Sequence, residues 1–280
     1  GGPSAGHEGF GGGGGGGGWS ESAGGGWWRP RGVLVAHLAE HRRGVTRLAV
    51  GAGGCFLASA SHDETVKVWD LRRLERDVSF HSRLTYAAQS GRITALCCCG
   101  GPADTPSGGT AAASSSSSAA APWSSGTTVC SGSSSGSLHL WRPEYTTRQG
   151  GVPDKYTGVV AVRQLSPGQG AVLHVCGWGP HLLLHVTQRG GVGAWDTRTQ
   201  REGWVLPCCP TRGLLEHLVA DPGAGGAWLM TGSSRGYLSL WDVRFLQCVH
   251  AWQHPLRCPI DAMAPATGPP ARVLLAGAGG

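Results

Sequence analysis

The stretch running from Phe56 through Asp63 to Asp70, FLASASHDETVKVWD, limits what this chain can fold into more than any other. Two short runs, 56–61 and 65–69, flank His62-Asp63-Glu64, a polar group suited to a reversal of the backbone. In the second run Val66 and Val68 alternate with Thr65, Lys67 and Trp69, the period of two expected of a strand with one face buried. The stretch reads as a β-hairpin.

A second pattern lies over the first. His41 precedes the hairpin, Asp63 follows Ser59 by four positions, and Trp69 follows Asp63 by six. This set resembles a WD repeat, one blade of a β-propeller. In that family the matching residues form a hydrogen-bonded chain from the Trp indole through Ser and His to Asp, so the resemblance implies that Trp69, Ser59, His41 and Asp63 brace one blade. The chemistry agrees, because an indole N–H can only donate and an ionised carboxylate can only accept. On this reading His41 and Asp63 are structural, not metal ligands or catalysts.

Further repeats are marked by Trp141, Trp195 with Asp196, and Trp241 with Asp242. The spacings are 72, 54 and 46 residues, against a family period of about 40–45. Most of the first excess is the low-complexity run 100–126, whose 27 residues include five consecutive serines; it reads as a disordered insert between two strands of blade two. Strands are expected at 45–50, 56–61, 65–69 and 78–86 in blade one, and at 93–99, 128–131, 137–141 and 159–164 in blade two. Blade three takes 172–176, 182–186, 192–195 and 203–206, and blade four takes 214–220, 228–231, 237–241 and 248–252. A fifth blade begins at 260–263 and 273–275. The expected fold is all-β, an incomplete WD-repeat propeller with about four and a half blades of an anticipated seven. Six residues before the later tryptophans stand Ser135, Arg189 and Arg235 instead of Asp, each followed by Gly136, Gly190 or Gly236. The later blades are therefore expected to keep the tight turn, lose the network and rest mainly on packing between blades.

The chain has 280 residues, of which 49 are Gly. Residues 1–26 are mostly Gly and cannot bury enough apolar surface to offset the entropy of ordering, so they read as a flexible lead-in. The propeller portion spans 27–280, with 33–38 expected as a strand ahead of the first blade. A formal charge of +6 accompanies only two lysines and arginines scattered no more densely than in pairs, which argues against nucleic acid as a partner. Ten cysteines include no C-x-x-C pair; they read as free thiols in a reducing compartment, with no metal or other cofactor implied. No apolar run reaches the roughly 18 residues of a membrane span. The absence of a leader and of an initial Met, with an end inside a repeat, reads as a soluble intracellular piece of a longer polypeptide. Gly132-Ser133-Ser134-Ser135-Gly136 and Gly232-Ser233-Ser234-Arg235-Gly236 both fit G-x-S-x-G, but each lies on a strand-to-strand turn where a nucleophile would need a strand-to-helix elbow. No catalytic residue is assigned.

A finer resemblance runs along the ordered part. It is carried in order by Trp28-Arg29-Pro30-Arg31-Gly32-Val33-Leu34-Val35-Ala36-His37-Leu38 with Glu40-His41, by Leu84-Thr85-Tyr86 with Gly91-Arg92-Ile93, and by Gly232-Ser233-Ser234-Arg235-Gly236 leading to Trp241-Asp242-Val243-Arg244-Phe245. Together these resemble the C-terminal WD-repeat domain of class III phosphatidylinositol 3-kinase regulatory subunits, vacuolar-protein-sorting scaffolds with a kinase-like domain. The resemblance implies a non-enzymatic scaffolding segment, with that kinase-like domain elsewhere in the full protein. It implies contacts to a Beclin-type coiled-coil subunit and its partner and to the lipid-kinase catalytic subunit. It further implies a cytoplasmic protein, peripheral on endosomal and autophagic membranes through the complex only. A second resemblance is carried by W-D-x-R at Trp69 to Arg72, Trp195 to Arg198 and Trp241 to Arg244. It is similar to the box of WD-repeat substrate receptors of cullin-type ubiquitin ligases, and would make Arg72, Arg198 and Arg244 adaptor-binding. The plainer reading is a solvated arginine pairing with its own Asp.

Overall fold

The computed structural model describes residues 35–51, 54, 56–71, 81–99, 127–146, 152–179, 181–221, 226–266 and 272–277. The expected lead-in 1–26, the insert 100–126 and Arg72 lie outside the described residues. The chain divides at Leu34 and Val35, and everything below concerns the unit from Val35 onward.

Strands follow one another in antiparallel groups. β1 (Val45–Val50), β2 (Phe56–Ser61), β3 (Val66–Asp70) and β4 (Leu84–Tyr86) form the first blade. β5 (Ile93–Cys99), β6 (Thr128–Ser133), β7 (Ser137–Thr146) and β8 (Val152–Gln164) form the second. The third comprises β9 (Val172–Trp178), β10 (Leu182–Thr187), β11 (Gly191–Asp196) and β12 (Arg201–Leu206). β13 (Leu215–Ala220), β14 (Trp228–Ser233), β15 (Tyr237–Asp242) and β16 (Gln247–Gln253) make the fourth, and β17 (Ile260–Ala266) with β18 (Arg272–Gly277) a two-stranded fifth. These are propeller-like blades in an open, unclosed series. The two G-x-S-x-G stretches lie on the β6–β7 and β14–β15 hairpins.

The core lies between blades. Phe56, Val66 and Val68 meet Ile93, Val129 and Trp141 between blades one and two. Leu138 and Leu140 meet Val172, Val175 and Trp195 between two and three, and Leu184, Val186 and Leu206 meet Leu215, Leu218 and Leu229 between three and four. Val219 and Leu238 meet Ile260 and Met263 at the last junction. Residues on both faces of β3 are buried: Val66 and Val68 against blade two, and Trp69 with its indole on Ser59 inside blade one. The half-buried strand expected from its alternation is thus corrected.

Each inner strand bulges near its start, at Thr46, Thr94, Leu173, Glu216 and Asp261. The bulge turns Thr46 Oγ1 to the Ile93 carbonyl at 2.7 Å and Thr94 Oγ1 to that of Val172 at 2.5 Å, so neighbouring blades are tied start to start. Two further expectations need correcting. Val35 to Leu38 adopts no strand; this segment is anchored instead by the side chains of Glu40 and His41 that follow it. In blade three the left-handed residue is Gly191, not Gly190, one position later than Gly136 and Gly236.

Candidate functional site

Blade one holds the network that its spacing suggested. Asp63 sits in the β2–β3 turn and Ser59 and Trp69 on facing strands, with His41 reaching in from the segment before β1. His41 Nδ1 lies 2.9 Å from Asp63 Oδ2 and His41 Nε2 2.8 Å from Ser59 Oγ, while Trp69 Nε1 donates to the same hydroxyl at 2.8 Å. With Ser59 donating onward to Nε2, Nδ1–H faces the carboxylate and every group in the chain is used once. Asp63 also accepts from the Arg42 and Thr65 N–H groups and from Thr65 Oγ1. Burial alone would raise its pKa, but hydrogen bonds from Thr65, His41 and Arg42 outweigh it and hold the carboxyl well below the usual range.

A second anchor had no signal of its own in the sequence. Glu40 Oε1 accepts from Ser82 N at 2.9 Å and lies 2.9 Å from His81 Nδ1, while Oε2 accepts from Ser82 Oγ at 2.5 Å and Lys67 Nζ at 3.2 Å. Burial pushes Glu40 upward; bonds from Ser82, His81 and Lys67 prevail and bring it down to about 2.

Among the described residues the Trp–Ser–His–Asp chain occurs in blade one alone, and blades two and four carry other polar contacts in its place. The residue ten before each tryptophan is Ser59, Ser131, His185 or Thr231. In blade four, Trp241 Nε1 donates to Thr231 Oγ1 at 3.1 Å. In blade two, Ser131 donates to buried Gln89 Oε1 at 2.6 Å, and Gln89 Nε2 donates to Ser137 Oγ at 3.0 Å. Tyr86 bonds His139 at 2.7 Å and stacks on Trp141 at 4.7 Å between ring centres. Blade three is the exception: Trp195 Nε1 and His185 Nδ1 are both buried without a partner. A periodic polar residue at that tenth position was visible in the sequence; the Gln89 and Tyr86 partners, 42 and 53 residues from the groups they bond, were not.

The two described W-D-x-R arginines, Arg198 and Arg244, are occupied locally. Arg244 grips Asp242 through Nε at 3.0 Å and Nη2 at 2.6 Å and lies over the Phe245 ring, and Arg198 reaches Asp196 at 3.4 Å. The thiols of Cys97, Cys98, Cys99, Cys130, Cys176, Cys208, Cys209, Cys248 and Cys258 are free. Burial pushes Cys98 up to about 12 and Cys176 to about 11, so both stay protonated. Among the described residues, no group of three or more His, Cys, Asp or Glu is placed to hold a metal ion, and no helix is long and apolar enough to cross a membrane.

Residues 32–70 match the family model described as WD domain, G-beta repeat. Over 249 residues the chain is 38% identical to the serine/threonine-protein kinase VPS15 of Arabidopsis thaliana, covering 86% of this chain and 15% of that protein. The likeness is to VPS15. The vps15 serine/threonine-protein kinase of Dictyostelium discoideum is 31% identical over 78% of this chain and 10% of its own length. VPS15 of Komagataella pastoris is 23% identical over 79% of this chain and 15% of its own length. The chain thus spans between 10% and 15% of the VPS15 proteins it matches. The crystal structure of the computationally designed Ika8 protein superposes with a TM-score of 0.54 at 17% identity, covering 82% of this chain and 55% of that one; at that identity it speaks for the fold alone. Residues 32–70 are thus WD-repeat sequence and most of the chain is similar to a stretch of VPS15, and these relatives lend the ubiquitin-ligase reading no support.

Proposed function

We propose that this segment is the scaffolding propeller portion of a class III phosphatidylinositol 3-kinase regulatory subunit. It presents a rigid surface to a Beclin-type coiled-coil subunit and that subunit's partner, while other parts of the full protein hold the lipid-kinase catalytic subunit. The protein is cytoplasmic and peripheral on endosomal and autophagic membranes. The observation that carries this reading is the 38% identity to VPS15 across 86% of the chain. The blade-one network of His41, Ser59, Asp63 and Trp69 acts as the structural brace, and Trp141, Trp195 and Trp241 as the repeated anchors of later blades. All support a binding surface and none a reaction.

The test is affinity purification of the full-length protein followed by mass spectrometry, with and without Trp69→Ala. Recovery of a Beclin-type subunit and a lipid kinase, with the Beclin-type subunit reduced by the substitution, is the expected result. Recovery of a cullin adaptor in their place would overturn the assignment.

A further inference from the structure

The arginines that look scattered in sequence are sorted by the fold. The segment leading into each inner strand and the turn between the second and third strands of the same blade lie at one end. His62 N bonds Gly44 O at 3.0 Å, Ser134 N bonds Arg92 O at 2.8 Å, Arg189 N bonds Gln169 O at 2.9 Å and Ser234 N bonds Leu214 O at 2.9 Å. Successive blades continue the same end, since the inner strands are neighbours and are tied start to start by Thr46 and Thr94. In blade four the Gly236 turn bonds His254 and lies against Arg257 and Cys258 at the start of blade five.

That end carries Arg42, Arg43, Arg92, Arg189, Arg235 and Arg257, all exposed. None of the six has an ion-pair partner among the described residues; Arg235 donates to the Thr211 carbonyl at 3.0 Å. The exposed acids there are Glu64 and Asp261, while Asp63 is taken up by His41. Elsewhere Arg163 pairs with Glu202, Arg198 with Asp196 and Arg244 with Asp242, while Arg201 and Arg272 are exposed singly. The cluster of six exposed arginines against two exposed acids sets this end apart.

We propose that this end docks directly on a phosphate-bearing anionic lipid surface. Arginine presents a planar fork to phosphate oxygens and is less hydrated than lysine, and each cation close to such a surface adds attraction. The six are spread over loops of five blades, an arrangement that a flat polyanion meets at once and a short acidic peptide meets only in part. Leu256, 61% exposed beside Arg257, and Leu214, 45% exposed beside the Ser234 turn, offer apolar side chains at the same level. The loops contain no Phe, Tyr or Trp, so the stacking that single-stranded nucleic acid uses is missing. The inference does not depend on the protein partners proposed above, since the assay contains none of them.

The experiment uses the full-length protein with sedimenting vesicles of phosphatidylcholine alone or mixed with phosphatidylserine. Binding is expected only to the mixed vesicles and is expected to weaken as salt rises. The triple variant Arg92→Gln, Arg189→Gln, Arg257→Gln should bind roughly 100-fold more weakly, while Lys at the same three positions keeps most of the binding. Should the Gln variant melt below wild type, Leu256→Asp serves in its place, because that side chain is exposed and its replacement should still weaken binding. Wild-type protein indifferent to phosphatidylserine, undiminished binding by these variants, or tighter binding of an oligonucleotide or polyglutamate than of vesicles would each overturn the proposal.

Discussion

Trp69 is both the largest buried side chain of its strand and the end of a hydrogen-bonded chain, so its removal creates a cavity and leaves Ser59 short of a partner. Trp69→Ala should cost about 3–5 kcal/mol, read from chemical denaturation of the purified protein, whereas Arg198→Ala, which breaks only an exposed pair, should leave the unfolding midpoint close to that of wild type. The titrating residues predict a pH response. Burial, reinforced by His217 and Arg47, lowers His174 to about 3. Burial and Arg47 lower His217 to about 4 against the opposing pull of Asp261, and burial with Arg163 lowers His185 to about 4. A histidine whose folded pKa lies below its unfolded 6.5 binds fewer protons when folded, so it favours the folded state at neutral pH and that contribution drains away as pH falls. Glu40, held down at about 2 from 4.5, adds a loss that begins lower, as pH drops through its unfolded value. Melting temperature should therefore fall steadily from pH 6.5 toward 4, and His174→Leu should flatten the upper part of that slope. At this scale the sequence was legible where partners are close and spacing is fixed, as with Ser59, Asp63 and Trp69. It was silent on Glu40 and Gln89, because a glutamate 42 residues from Ser82, or a glutamine 48 from Ser137, has nothing in its own neighbourhood to mark the pairing.

The strands themselves were readable because tryptophan, β-branched residues and small residues recur with the blade. Their ends were not. β7 runs on to Thr146 and β8 starts at Val152, well outside the expected 137–141 and 159–164, since backbone pairing between the two continues after the apolar pattern stops. Turn chemistry carries a prediction here. Glu64 occupies a left-handed conformation at φ 68°, the place taken by Gly136 and Gly236 in later blades. Glu64→Gly should stabilise blade one by about 0.5–1 kcal/mol. Gly191→Ala should do the opposite: at φ 84° a Cβ would run into the carbonyl of Leu206. A loss of at least about 2 kcal/mol is expected, and equal melting temperatures for the alanine variant and wild type would refute it.

Across the whole described unit, burial is uneven in one respect. Ile93, Val172, Leu215 and Ile260, which begin the inner strands of blades two to five, are each covered by the preceding blade. Their counterpart Val45 is 50% exposed, with Leu48 at 62% and Val50 at 57% on the same strand. In the isolated chain this apolar face should drive self-association. Leu48→Lys should lower the average mass in sedimentation velocity at equal concentration without lowering the melting temperature, and an unchanged mass would show that the face is not adhesive. Charge sorting belongs to the same scale: no arginine run announces the basic end, because only the return of the chain blade after blade brings Arg42, Arg92, Arg189 and Arg257 to one level.

Each apolar cluster is shared by two adjacent blades and reaches no further, so the unit behaves as a row of couplings between nearest neighbours. Strain introduced at Gly191 is felt by blade three and its neighbours, two and four, and fades beyond them. A surface built this way can change the residues of one blade, and with them one contact, while the remaining blades go on holding their own.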